Sequence, residues 1–256
     1  MCTWNIQLGL RLDAVLEAVR SHADFTGLDL LCIQEASVHS GRPDAARIAE
    51  AMGPGYDYFQ VTAQVHRGLE QANALIWRVE TFQPGQPYVV PLNIAPSVHI
   101  RRLERTLLRA IVPQQRIAIG AESADLRVYV VHLDVVGFTH KLEQLKAVIA
   151  DMATRPQVPL TLVAGDLNTF GPPGLQLWRK LAAAAGEAGL VEVTRDVKRT
   201  HWTSQKLDAI FARSEVPLAS RAWALNVRAS DHQPVFADID FLRTGTAPLP
   251  SGGGSC

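Results

Sequence analysis

Apolar residues in this chain follow two rhythms. At helical spacing, Leu12, Val15, Leu16 and Val19 predict a helix over Leu10 to Arg20. Leu142, Leu145, Val148, Ile149 and Met152 predict a longer one, with Thr139 as its expected N-cap. Pro43 opens a further helix that turns Ala46, Ile48 and Ala49 inward. Another follows Pro172-Pro173, with Leu175, Trp178, Leu181 and an alanine run before Gly186 and Gly189. Between them stand short apolar runs of strand length: Leu28 to Gln34, Ala72 to Trp77, Thr106 to Val112, Leu126 to Leu133, Leu160 to Ala164, Leu207 to Ala212, Arg221 to Val227 and Pro234 to Ile239. Several of these strands succeed one another with no helix between. A doubly wound parallel sheet therefore fits poorly, and two packed sheets flanked by helices fit better.

Composition narrows the class. A length of 256 residues with 47% hydrophobic and 20% charged residues suits a globular protein with an ample core. No run approaches the roughly 18 uninterrupted apolar residues of a membrane span, so no stable membrane insertion is expected. Residues 1–243 are expected to form a single domain; Thr244 to Cys256 reads as a disordered, linker-like tail. Lys+Arg and Asp+Glu both number 25, which gives no global field for a polyanion. The densest basic stretch, Arg101, Arg102, Arg105 and Arg109, is interrupted by Glu104 and reads as a solvated face. Cys2, Cys32 and Cys256 have no metal-ligand spacing, and an odd count argues against a disulfide framework. A reducing, cytoplasmic compartment and a monomer are expected, although the abrupt start at Met1 leaves room for a missing leader.

The chemistry gathers at strand ends. Leu31-Cys32-Ile33-Gln34-Glu35 and Leu162-Val163-Ala164-Gly165-Asp166-Leu167-Asn168 each run from apolar residues into a carboxylate. Carboxylates and amide oxygens there are the hard ligands that Mg²⁺ or Mn²⁺ prefers; the His or Cys spacings of a zinc site are absent. Asp208 and the Asp231-His232 pair add a histidine with a carboxylate to orient it, and His132 adds a donor for a developing oxyanion. Such a set suits hydrolysis of a phosphate ester.

Seven segments, in order, resemble the successive motifs of the endonuclease/exonuclease/phosphatase superfamily, with its DNase-I-like fold. They are Thr3-Trp4-Asn5-Ile6-Gln7, Ile33-Gln34-Glu35, Ala72-Asn73-Ala74-Leu75, Val131-His132-Leu133-Asp134, Gly165-Asp166-Leu167-Asn168-Thr169, Lys206-Leu207-Asp208-Ala209-Ile210-Phe211 and Ser230-Asp231-His232-Gln233-Pro234-Val235. The resemblance implies an α/β (α+β) four-layer sandwich with these residues on loops at one end of the two sheets. It implies Glu35 as the main metal ligand, helped by Asn5 and Asp231, and Asp166 as the group that binds or activates the attacking water. Asn168 would orient that water, His232 held by Asp208 would act on the phosphate, and His132 would stabilise the pentacovalent phosphorus. The resemblance leaves the general base open between Asp166 and His232.

Other residues carry weaker expectations. Asn73 either contacts substrate or braces a loop, Arg109 either reaches the site or forms a salt bridge, and Asp134 reads as structural. His66, His99, His140 and His201 read as surface residues, Trp178 as core, and the aromatics as too scattered for a stacking platform. Only four residues precede Asn5, so the first strand reads as clipped, with Asn5 on a fraying segment or the true start upstream; an N-terminal extension is then expected to raise stability. The leading functional expectation is a divalent-metal-dependent phosphodiesterase acting on a phosphate ester, nucleic acid among them. A sphingomyelinase-like or phosphomonoesterase activity stands as the alternative, and a non-catalytic scaffold of the same fold stands behind both. Thr169-Phe170-Gly171 and Gln205-Lys206-Leu207-Asp208 replace the arginine-bearing motifs of inositol polyphosphate phosphatases, which disfavours that branch.

Overall fold

The computed structural model describes residues 1–66, 68–92, 115–135, 137–170 and 172–241. Along the chain run β1 (Cys2–Asn5), α1 (Leu12–Ser21), β2 (Leu30–Ala36), a short ribbon of β3 (Val38–His39) and β4 (Arg42–Pro43), α2 (Asp44–Met52), β5 (Tyr56–His66), β6 (Leu69–Arg78), β7 (Tyr88–Pro91), β8 (Ile117–Glu122), β9 (Leu126–His132), α3 (Phe138–Thr154), β10 (Leu160–Asp166), α4 (Pro172–Glu187), β11 (Val191–Glu192), β12 (Asp208–Ser214), β13 (Leu218–Ala224) and β14 (Val235–Phe241). The strand predicted over Thr106 to Val112, Arg101 to Arg109, His99 and the tail lie outside the described residues.

The strands form two six-stranded mixed sheets, ordered β13-β14-β1-β2-β6-β5 and β11-β12-β10-β9-β8-β7. Side chains alternate across a strand, so a strand buried on both faces feeds two cores. In β2, Leu30 and Cys32 face the other sheet while Leu31 and Ile33 face α1 and α2. In β9, Val128 and Val130 face inward while Tyr129 and Val131 pack with Leu145, Val148 and Leu181 of α3 and α4. Three apolar layers thus separate four layers of secondary structure, the expected α/β four-layer sandwich.

Local differences from expectation have physical causes. β1 does not fray: Cys2–Asn5 is buried throughout between β14 and β2, and the Met1 ammonium donates to Ala237 O at 2.8 Å. Thr139 does not cap α3, because Gly137, at φ 87°, makes the turn into a helix that starts at Phe138. β5 is absent from the apolar runs because it is an edge strand with no fully buried described residue, and β8 because Gly120 interrupts it.

Candidate active site

Strand register assembles the first part of the site. His132 pairs with Asp166 across β9 and β10, and Asp166 pairs with Asp208 across β10 and β12, so three functional side chains stand in one row at the sheet's edge. Gly165 permits this. Its φ is 154°, and a Cβ there would lie 1.8 Å from the carbonyl oxygen of Val131. Asn168, at φ 51°, donates its backbone N–H to Asp166 Oδ1 at 2.8 Å and its carboxamide to Leu133 O at 2.8 Å.

The other sheet supplies the second part. Asn5 ends β1 beside Gln34 of β2. Its carboxamide donates to Asp166 Oδ2 at 3.0 Å, and its Oδ1 accepts the Gln7 N–H at 3.0 Å, using one of two lone pairs. Glu35 occupies a bulge between Gln34 and Ala36 with φ 53°, the kind of irregularity that re-aims a side chain at a sheet's rim. Ser230 Oγ donates to Asn5 O at 2.7 Å and contacts Asp231 Oδ1 at 3.1 Å, tying the Asp231-His232 loop to β1. Trp4 Nε1 donates to His232 O at 3.0 Å, a second tie.

The two histidines are held in opposite states. His232 Nδ1 donates to buried Asp208 Oδ2 at 2.8 Å, and its Nε2 stands 3.7 Å from Asp166 Oδ2. Burial works against its charge, yet Asp208 and Asp166 hold its pKa up at about 10. His132 Nδ1 faces Arg116 Nη1 at 2.8 Å; a guanidinium only donates, so Nδ1 accepts and the ring proton sits on Nε2. Burial, the Arg116 charge and His232 push His132 well below its usual value, so it is neutral. Its Nε2 is buried without a hydrogen-bond partner, 3.7 Å from both Glu35 Oε1 and Asp166 Oδ2, and aims an unused donor into the site.

The carboxylates are crowded. Burial raises Glu35 above its ordinary value against the pull of Arg116 and His232, and raises Asp166 to about 6 with help from Asp208. Asp231 is different: burial works to raise it, but His201 and His232 outweigh burial and hold it below the usual range. The oxygen donors of Glu35, Asp231 and Asn5 are of the kind that a hard divalent cation takes. Among the described residues, Asp166, Asp208 and His232 bring one donor atom each within 4.8 Å of one another, as do His201, Asp231 and His232.

Not every expected residue has the expected surroundings. Asn73 donates to Ile117 O at 2.8 Å and so braces β6 against β8. Arg109 lies outside the described residues, as do His99 and the side chain of His66. His201 is no surface residue: it is buried, edge-on to His232 with ring centroids 4.6 Å apart. His140 stands 3.5 Å from Asp134, with both side chains largely covered. Arg116 was not singled out in the sequence; its one signal is a cation opening the apolar run of β8. The aromatics are also less scattered than expected, since Phe170 and Trp202 flank His201 at 5.3 and 5.8 Å and are 38% and 73% exposed.

Comparison with known proteins gives the same frame. Several solved structures share the fold. One is an endonuclease/exonuclease/phosphatase from Bacteroides vulgatus, at TM-score 0.68 and 18% identity, covering 94% of this chain and 98% of that one. A mannosyl-6-phosphatase of Bacteroides thetaiotaomicron superposes at TM-score 0.65 and 15% identity, with 94% and 98% covered. TDP2 of D. rerio, in complex with a single-strand DNA product, superposes at 0.63 and 13% identity with the same coverage. No curated protein matches the chain. The profile of the Endonuclease/Exonuclease/phosphatase family matches residues 2–232, and the chain belongs to this family of hydrolytic phosphoesterases.

Proposed function

We propose that the protein is a Mg²⁺- or Mn²⁺-dependent phosphodiesterase acting on nucleic acid or another nucleotide-bearing ester. Glu35, Asn5 and Asp231 would hold the cation, which when bound neutralises charge on the non-bridging phosphate oxygens. Asp166, with a pKa of about 6, is ionised at neutral pH and is the base for the attacking water, while Asn168 Oδ1 orients that water. His232, with a pKa of about 10, already carries its proton at neutral pH and so is the cationic donor to the phosphate. His132 Nε2–H donates to an equatorial oxygen of the pentacovalent phosphorus.

The observation that carries this reading is the division between the two histidines, one kept charged by Asp208 and one kept neutral by Arg116, both with Nε2 3.7 Å from Asp166 Oδ2. A scaffold would have no use for that arrangement. Exposed Trp202 and Phe170 beside the site support a leaving group with a planar base to stack. TDP2 of D. rerio, of the same fold, is the structural precedent for DNA. Bis-p-nitrophenyl phosphate, DNA, RNA, phospholipid and sugar phosphate should be offered with Mg²⁺ and then with EDTA. Metal-dependent turnover of the diester and of a nucleic acid is expected; turnover of monoesters alone would overturn the diesterase reading, and no metal-dependent turnover on any of them would overturn the enzyme.

A further inference from the structure

The fold sets a further histidine against Asp231, at no spacing that the sequence marks. His201 and His232 form an isolated antiparallel bridge, the Trp202 N–H donates to Asp231 O at 2.9 Å, and the Gln233 N–H donates to Thr200 O at 2.7 Å. The two segments are therefore held side by side. His201 is buried where they meet, with the Phe170 ring perpendicular to it at 5.3 Å and the His232 ring at 4.6 Å between centroids. Packing of this kind fixes the direction in which the ring nitrogens point.

The tautomer of His201 follows from its neighbours. The Thr203 backbone N–H reaches Nδ1 at 3.3 Å, and Thr203 Oγ1 stands 2.7 Å from the same nitrogen. A backbone N–H only donates, so Nδ1 accepts and the ring proton sits on Nε2. That N–H faces Asp231 Oδ2 at 3.8 Å, an electrostatic contact longer than a hydrogen bond. Ser230 Oγ also approaches the carboxylate, at 3.1 Å from Oδ1, but it stands 2.7 Å from Asn5 O, and its one hydroxyl proton serves the shorter contact. His201 thus turns a donor toward Asp231 that Ser230 does not supply. An uncharged donor orients a carboxylate without cancelling its charge, whereas a lysine or arginine in its place would compete with a cation.

We propose that His201 is a positioning residue whose Nε2–H sets the orientation of Asp231 and so presents that carboxylate to the divalent cation. The inference rests on the assignment of Asp231 to the cation under the proposed function. His201 itself touches neither ion nor phosphate. The Asp231 side chain is 27% exposed, so without a partner it would have rotamer freedom to lose when the ion arrives.

Mn²⁺ binding tests this without turnover, through the loss of the free ion's electron paramagnetic resonance signal. His201→Phe keeps a ring between Phe170 and His232 but removes the donor, while His201→Gln returns an amide N–H near the position of Nε2. His201→Phe should bind Mn²⁺ about 10-fold more weakly than the parent, and His201→Gln should recover most of that loss. A His201→Phe protein that binds as tightly as its parent, or a His201→Gln protein as weak as His201→Phe, would overturn the proposal. Glu35→Ala is the control for the reading beneath it. If that variant binds Mn²⁺ as the parent does, the cation assignment fails and this proposal with it; if it loses Mn²⁺ while His201→Phe does not, the positioning role alone fails.

Discussion

At the scale of single residues, the site depends on charge states that sequence motifs cannot carry. His132 and His232 look alike as letters, yet Arg116 fixes one as a neutral Nε2–H donor while Asp208 and Asp166 hold the other protonated. The motif residues Asp166, Asp208 and His232 were legible because Asp166 ends an apolar run, Asp208 opens one and the Asp231-His232 pair stands just before another. Arg116 and His201 were not, because they acquire meaning only from what packs against them. The pH dependence follows. Asp166 ionises through about pH 6 and His232 loses its proton through about pH 10, so kcat/KM should be bell-shaped between those values. His232 is raised above its unfolded value near ~6.5, so its contribution to stability is whole below that value and lost as pH rises through about 10. Asp208→Asn removes a charge that holds His232 up, and the alkaline limb of the profile should move to lower pH. An unmoved alkaline limb would show that another group sets it.

At the scale of elements, register does the assembling. The apolar runs that end in His132 and Asp166 and begin at Asp208 were readable from their length, but their alignment into one row is a property of the pairing of β9, β10 and β12. Edge strand β5 escaped the same reading because an edge strand buries too little to leave an apolar run. Gly165 is where element and site meet, since any Cβ there strikes the backbone of β9. Gly165→Ala should cost about 3 kcal/mol of stability and reduce turnover by pulling Asp166 off its row. Urea unfolding measures the first effect. An unchanged midpoint would mean that the strands can separate without penalty, contrary to this account.

At the scale of the whole molecule, the site is a seam. Asn5 and Glu35 come from strands of the sheet containing β1 and His232 from the loop that leads into its strand β14, while His132, Asp166 and Asp208 come from the other sheet. Hydrogen bonds cross between the two at Asn5 to Asp166, His232 to Asp208 and Asn73 to Ile117. Holding that seam closed is the work of the apolar layer between the sheets, with Leu30, Cys32 and Leu75 packed against Val128, Val130 and Ile210. The layered fold was legible because its strands are short continuous apolar runs, several of which succeed one another with no helix between. The seam was not, since it arises from the packing of one sheet on the other.

The central claim is that one part of this seam holds the cation and another works on the phosphate. Mg²⁺ binding and bis-p-nitrophenyl phosphate turnover, measured side by side on Glu35→Ala and His232→Ala, test it most directly. Glu35→Ala should weaken Mg²⁺ itself, and His232→Ala should lower kcat on the order of 100-fold while binding Mg²⁺ nearly as the parent does. Variants that both bind Mg²⁺ normally and remain active would contradict it.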